Sequence, residues 1–138
     1  MADGNGTKLA GRANWQDGEY VFAMNDASAS THNLEVADSG KVFFMSNTVA
    51  RTVNLPAPTA GVRYKFIMSD TTADSSIVAT GAFFKGAAEC GDAYLTLAGT
   101  TIVCELAGAV GDWLEMISDG TYWYVSGHGS NDASFSVT

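Results

Sequence analysis

The sequence predicts an all-β fold, a single-domain antiparallel β-sandwich, jelly roll or small barrel of about ten short strands. Short apolar or alternating segments recur at spacings of about 8–12 residues, which is typical of such folds. The chain contains 15 Gly and only 2 Pro, and Thr, Ser and Val are frequent, a composition that favours strands joined by turns. No segment shows the apolar periodicity of a helix. The 138 residues suffice for one domain with its own core.

The clearest element is a hairpin within Gly111–Gly129, and the rest of the domain is expected to pack around it. Two apolar runs, Asp112–Ile117 and Tyr122–Ser126, flank the turn Ser118–Thr121. The Asp-Gly pair in that turn is a strong hairpin signal, because both residues tolerate the positive φ angles that a primed turn requires. Asp112 and Asp119 are interpreted as strand-start and turn residues rather than as chemical groups.

Alternation along these two strands predicts which side chains share a face. Trp113, Glu115 and Ile117 fall on one face of the first strand, and Leu114 and Met116 on the other. In the second strand, Tyr122 and Tyr124 oppose Trp123 and Val125. Neither face is cleanly polar. We therefore expect one face to pack on the domain's own core and the other to be covered by a second sheet or a neighbouring subunit.

The other predicted strands are short runs of β-branched, aromatic or alternating residues bounded by Gly, Pro, Asp or Ser. In chain order they are Glu19–Met24, Leu34–Val36, Lys41–Met45, Thr52–Leu55, Arg63–Ser69, Ser76–Thr80, Ala82–Lys85, Ala93–Leu97, Thr101–Leu106 and Ser134–Val137. Pro56 and Pro58 end the fourth strand, since proline cannot donate to a ladder. Gly86–Asp92 is expected to be a small-residue loop, and Ala98–Thr100 to join the two strands around it as a second hairpin.

Residues 1–18 form a segment of a different kind. They are rich in Gly, Asn, Asp and Ala and lack periodicity, which predicts a flexible arm, or one that orders only against a partner, ahead of a β domain at 19–138. Trp15 stands alone in this polar stretch. It either anchors the arm in a partner's pocket or packs back on its own domain.

Charge and hydropathy exclude several classes of partner. The formal net charge is −8 with seven scattered Lys and Arg, which argues against nucleic acid and anionic membranes as direct partners. No apolar run approaches the roughly 20 residues of a membrane span, and the N-terminus lacks the features of a signal peptide, so synthesis in the cytoplasm is expected. Charged residues make up only 16% of the chain, which favours a subunit that buries further surface in an assembly.

No motif in the chain predicts catalysis, a cofactor or a metal site. Cys90 and Cys104 do not make a disulfide framework and are expected to be two independent buried thiols, the alternative being a bond if their strands adjoin. His32 and His128 lack ligand spacing, and His128 is the better candidate for an assembly contact. Glu115 beside an aromatic residue could suggest one of the two carboxylates of a glycosidase, but a carboxylate at a sheet rim or subunit seam is the simpler interpretation.

Three segments carry a resemblance to a known group of proteins. They are L-P-A-P-T-A-G-V-R-Y-K-F at Leu55–Phe66, K-G-A-A at Lys85–Ala88 and G-D-W-L-E-M-I-S-D-G-T-Y-W-Y-V-S-G at Gly111–Gly127. Together they resemble small all-β virion proteins of tailed bacteriophages, found as head decoration (cement) proteins and as modules of tail fibres. The similar stretch covers roughly residues 40–129. The resemblance implies a homotrimer and no catalytic residues.

Two functions follow from this resemblance. The first is a non-enzymatic capsid decoration protein that is made in the host cytoplasm, trimerises, binds the major capsid protein and stabilises the outer surface of the phage head. The alternative is a tail-fibre or receptor-binding module that contacts host surface glycans. A cellular carbohydrate-binding module is a third hypothesis, separate from the resemblance, and the missing secretion signal disfavours it. The candidate assembly contacts are Trp15, Trp113, Glu115, Tyr122, Trp123, Tyr124 and His128.

Overall fold

A computed structural model describes residues 21–24, 31–46 and 49–138 and confirms an all-β sandwich of two sheets. The predicted arm, with Trp15, lies outside the described residues. The strands are β1 (Val21–Met24), β2 (Thr31–Asn33), β3 (Val42–Ser46), β4 (Thr52–Leu55), β5 (Arg63–Asp70), β6 (Ser75–Ala79), β7 (Phe84–Cys90), β8 (Ala93–Thr96), β9 (Thr101–Cys104), β10 (Trp113–Ser118), β11 (Trp123–Gly129) and β12 (Phe135–Val137).

The strands divide into a seven-stranded sheet, in the order β1-β3-β5-β10-β11-β7-β8, and a five-stranded sheet, in the order β12-β9-β6-β4-β2. Both sheets are mixed, so the expectation of a wholly antiparallel sandwich is wrong in this respect. Five strand pairs are parallel: β1 with β3, β3 with β5, β11 with β7, β2 with β4, and β4 with β6. Parallel pairs arise where the chain leaves one sheet, adds a strand to the other sheet and then returns. For example, β3 and β5 are parallel neighbours in one sheet, and the strand between them in sequence, β4, lies in the other.

The hairpin is formed as predicted by β10 and β11, which pair antiparallel from Trp113↔His128 to Ser118↔Trp123. Gly120 has φ of 97°, the left-handed conformation expected in the turn. The Asp119 carboxylate accepts hydrogen bonds from the backbone N–H groups of Thr121 and Tyr122, at 2.7 and 2.8 Å. Asp112 is also structural, because its buried carboxylate accepts from the backbone N–H groups of Ala109 and Ser130, both at 2.9 Å.

The core lies between the sheets and is built from alternate residues of both. The largest fully buried side chains are Trp123, Tyr64, Phe43, Phe66, Phe84, Met45, Ile77, Leu97, Ile102, Leu114 and Met116. Leu114 and Met116 therefore face inward, as the alternation predicts, and Trp113, Glu115 and Ile117 face outward. Gly127 is required by this packing, since a Cβ there would lie 2.5 Å from the Trp113 carbonyl oxygen.

Three local predictions are wrong. Gly86–Asp92 is not a loop, because most of it belongs to β7, which pairs in parallel with β11. The small residues there allow a close approach: a Cβ at Gly86 would lie 2.0 Å from the Val125 carbonyl oxygen. Leu34–Val36 is not a strand either, since a 3-10 helix spans Val36–Asp38 and the Asp38 carboxylate accepts from the Glu35 N–H at 2.9 Å.

The second predicted hairpin is the third error. β8 pairs with β7 in one sheet, whereas β9 pairs with β6 and β12 in the other. Leu97 is fully buried, and its N–H donates to the Gly86 carbonyl at 2.9 Å, so the chain enters the core between the two sheets at this point. A short Gly-containing connection therefore joins two sheets here instead of two neighbouring strands.

Candidate functional site

The hairpin divides the predicted contact residues between the core and the surface. Trp113, Glu115, Tyr124 and His128 lie on the outer face of the seven-stranded sheet, and Tyr122 lies half-buried at the turn. Trp123 does not join them, because it is 0% exposed and its ring centroid lies 5.6 Å from that of Tyr64. Its prediction as a contact residue is wrong: the alternation that turns Tyr124 outward turns Trp123 into the core.

The outer face of the seven-stranded sheet, the aromatic face below, is arranged in three cross-strand rows. The first row is Phe44, Ile67, Trp113, His128, Glu89 and Tyr94. The second is Val42, Lys65, Glu115, Ser126, Ala87 and Thr96. The third is Arg63, Ile117, Tyr124 and Lys85. Aromatic and aliphatic side chains thus lie beside charged ones on β3, β5, β7, β8, β10 and β11.

Charged side chains on the aromatic face contact aromatic rings as well as groups of opposite charge. The Lys65 Nζ lies 4.6 Å from the centroid of the Trp113 ring, and the Lys85 Nζ lies 3.6 Å from that of Tyr122. Both distances are within the range of cation–π attraction. His128 Nδ1 lies 3.6 Å from a Glu89 carboxylate oxygen in an exposed contact. Trp113, Tyr122 and His128 are therefore held in defined surroundings at the surface.

Tyr124 lies beside the hairpin turn, where the neighbouring Asp119 carboxylate raises the pKa of the Tyr124 phenol. Hydrogen bonds from the Tyr122 and Thr121 N–H groups hold the pKa of Asp119 below its usual range, so Asp119 is an anion at neutral pH. The Tyr124 ring is 42% exposed, and Ile117, its partner on β10, is 46% exposed. Tyr124 and Ile117 form an exposed apolar patch.

Two shallow cavities adjoin on the aromatic face and share Arg63 and Glu115 in their walls. One, of about 310 Å³, is further lined by Gly40, Lys41, Val42, Tyr64 and Lys65. The other, of about 290 Å³, is further lined by Met116, Ile117, Tyr124, Val125 and Ser126. We refer to the second cavity as the Tyr124 groove. Among the described residues that line these cavities, Glu115 is the only carboxylate, whereas a glycosidase uses a pair.

The opposite surface has a different chemistry. The outer side chains of the five-stranded sheet form two rows, Thr31, Thr52, Ser76, Val103 and Ser136, then Asn33, Asn54, Val78 and Thr101. None of these nine side chains is charged. Asn54 Nδ2 donates to Asn33 Oδ1 at 2.8 Å along the second row. Charges begin at the rim, where the Ser136 hydroxyl donates to Glu105. We refer to the two rows as the uncharged face.

The described part of the chain offers no group of three or more His, Cys, Asp or Glu side chains that could hold a metal. Cys90 and Cys104 are free and buried, as predicted, and belong to different sheets. Burial, with the nearby Glu105 and Asp112 charges, raises the pKa of Cys104 to about 12. Burial likewise raises the pKa of Cys90. Neither thiol has the lowered pKa of a nucleophile.

Comparison of the chain with protein-family models, with curated proteins and with solved structures gives no match. Among the described residues, no helix is long and apolar enough to cross a membrane.

Sequence reasoning missed Arg63 and Lys65 as members of the aromatic face. Their signal is present in the alternation of β5, where Arg63, Lys65 and Ile67 occupy the positions between buried Tyr64, Phe66 and Met68. The missing information was the partner strand. Only the pairing of β5 with β10 sets Lys65 opposite Glu115 and Arg63 opposite Ile117.

Proposed function

We propose that this chain is a non-enzymatic structural protein of a tailed-bacteriophage virion, a decoration protein that trimerises and stabilises the head shell by binding the major capsid protein. The observation that carries the proposal is the uncharged face, which is suited to contact with a second copy of the chain. The resemblance of Leu55–Phe66 and Gly111–Gly127 to phage virion proteins supplies the setting.

The net charge of the chain favours a second copy as the partner of the uncharged face. Each chain carries a formal net charge of −8, so two copies repel one another over most of their surfaces. Nine adjacent side chains without a charge allow close contact without burying an unpaired ion. Ser, Thr and Asn supply both donors and acceptors, so the polar groups of one copy can be satisfied by those of the other.

The size of the uncharged face indicates that the contact between subunits also needs surface from outside this face. Five strands spaced about 4.8 Å apart place the outermost strands about 19 Å from each other. Two rows of small side chains on that width cover less than the roughly 800 Å² that each partner buries in a typical stable interface. We therefore assign the uncharged face to the centre of the subunit contact, with the surrounding loops completing it.

Stabilisation of a shell requires only that the protein binds the assembled lattice better than its separated parts. A trimer meets this condition, because one particle can contact several capsid subunits at once and gain avidity. One observation favours the tail-fibre alternative, since half-buried Trp113 and exposed Tyr124 lie on the aromatic face, where they can contact glycans.

Labelling of purified virions with an antibody against this chain separates the two locations. The decoration proposal expects label over the head, and the addition of purified protein to undecorated heads should raise their melting temperature. Label confined to the tail, or heads whose melting temperature is unchanged at saturating protein, would overturn the head assignment.

A further inference from the structure

The Tyr124 groove is lined by two charged side chains that pair with none of the residues that the structure describes. The Arg63 guanidinium and the Glu115 carboxylate are both exposed, and neither makes an ion pair or a side-chain hydrogen bond with any other described residue. The neighbouring cations are engaged: Lys41 pairs with Asp38 at 2.7 Å, and Lys65 lies over the Trp113 ring. The groove thus presents one group that only donates and one that only accepts hydrogen bonds.

This combination selects for a particular ligand chemistry. An anion would meet the Glu115 carboxylate, and a cation would meet the Arg63 guanidinium, so each would be attracted by one wall and repelled by the other. A hydroxyl group both accepts and donates. A ligand with adjacent hydroxyls can therefore accept from Arg63 and donate to Glu115 at once, through charge-assisted hydrogen bonds.

The apolar part of the groove can bind the C–H face that a sugar ring presents besides its hydroxyls. A pyranose ring has a C–H face as well as hydroxyls, and that face packs against aromatic or aliphatic surface. Tyr124 and Ile117 provide this surface beside the two charges, and both are nearly half exposed.

We propose that the Tyr124 groove binds a neutral pyranose of an oligosaccharide, with Tyr124 and Ile117 against its C–H face and with Arg63 and Glu115 on adjacent hydroxyls. The site is separate from the uncharged face, and it stands whether or not the protein decorates a phage head. In these terms Arg63, Glu115, Ile117 and Tyr124 are binding residues.

Titration calorimetry with defined sugars tests the proposal on the intact chain. The probes are cellotetraose, maltotetraose and mannotetraose, with trigalacturonate as the charged comparison. At least one neutral probe is expected to bind with a dissociation constant of about 1 mM or tighter, and trigalacturonate more weakly than that probe. No binding of any neutral probe at about 10 mM, or tighter binding of trigalacturonate, would overturn the proposal.

Variants then locate the site. Tyr124→Ala and Arg63→Ala should each weaken binding at least tenfold, a loss of the size expected for a ring platform or a charge-assisted hydrogen bond. Tyr94→Ala is the matched control, since Tyr94 is 76% exposed on the same face but lies on the edge strand β8. Melting curves check that each variant is folded. Binding that survives both groove variants, or that is lost equally with Tyr94→Ala, would contradict the assignment.

Discussion

Arg63 and Glu115 lie on adjacent strands, line the same two cavities and form no ion pair with each other. β5 and β10 set Lys65, not Arg63, opposite Glu115, and the Lys65 ammonium lies over the Trp113 ring. The strand register thus leaves one carboxylate and one guanidinium exposed in a groove without an ion-pair partner among the described residues.

The unpaired state of Glu115 predicts that its charge contributes little to folding. Glu115→Gln should change the free energy of unfolding by no more than about 0.5 kcal/mol, as expected for an exposed side chain without a partner. Urea denaturation compares the variant with the wild type. A loss of more than about 2 kcal/mol would contradict this and indicate that the Glu115 charge has a stabilising partner in the folded protein.

The two tryptophans of the hairpin should differ in their contribution to stability. Trp123→Ala removes a fully buried ring and should cost about 3–5 kcal/mol. Trp113 lies half-buried on the aromatic face, so Trp113→Ala should cost about 1 kcal/mol, including the lost cation–π contact with Lys65. Chemical denaturation of both variants measures the difference. Equal losses would mean that Trp113 also belongs to the core.

The Asp119 turn predicts a loss of stability in acid. Hydrogen bonds from Tyr122 and Thr121 lower the pKa of Asp119 in the folded state, so its contribution to stability is complete above about pH 4 and is lost as the pH falls through the folded pKa. Asp119→Asn keeps an oxygen acceptor without the charge. Melting temperatures recorded between about pH 7 and about pH 2 should fall less steeply for this variant than for the wild type. Parallel curves would contradict the role of Asp119.

Both cysteines should be unreactive in the folded protein. Cys90 and Cys104 are buried and free, and burial raises the pKa of each thiol, so little thiolate is available. A thiol reagent such as Ellman's should label neither residue under native conditions and both in denaturant. Rapid labelling of Cys104 without denaturant would show that the interface between the sheets opens readily. Absence of label after denaturation would indicate a disulfide instead.

Local signals explain which parts of the fold the sequence predicts. The β10–β11 hairpin depends on Asp119-Gly120 and on alternation within a short stretch, and it was predicted with nearly its observed ends. The pairing of β8 with β7 depends on contacts distant in sequence, and Gly99 looks like any hairpin glycine until both sheets are known. The groove could not be predicted for the same reason, because Arg63 and Glu115 become neighbours only through the β5–β10 pairing.

The uncharged face predicts association in solution. Val103→Lys would place a charge on β9, beside the central strand β6 of this face, and should shift the assembly toward monomer without unfolding it, because the side chain points away from the core. Thr96→Lys, which adds the same charge on the edge strand β8 of the other sheet, is the matched control and should leave the assembly unchanged.

Light scattering on the purified full-length chain tests the central claim most directly. The proposed trimer predicts a mass three times that of the 14.4 kDa chain for the wild type and for Thr96→Lys, and a lower mass for Val103→Lys. A wild-type protein that stays monomeric at micromolar concentration, or a Val103→Lys variant that assembles as well as the wild type, would contradict it.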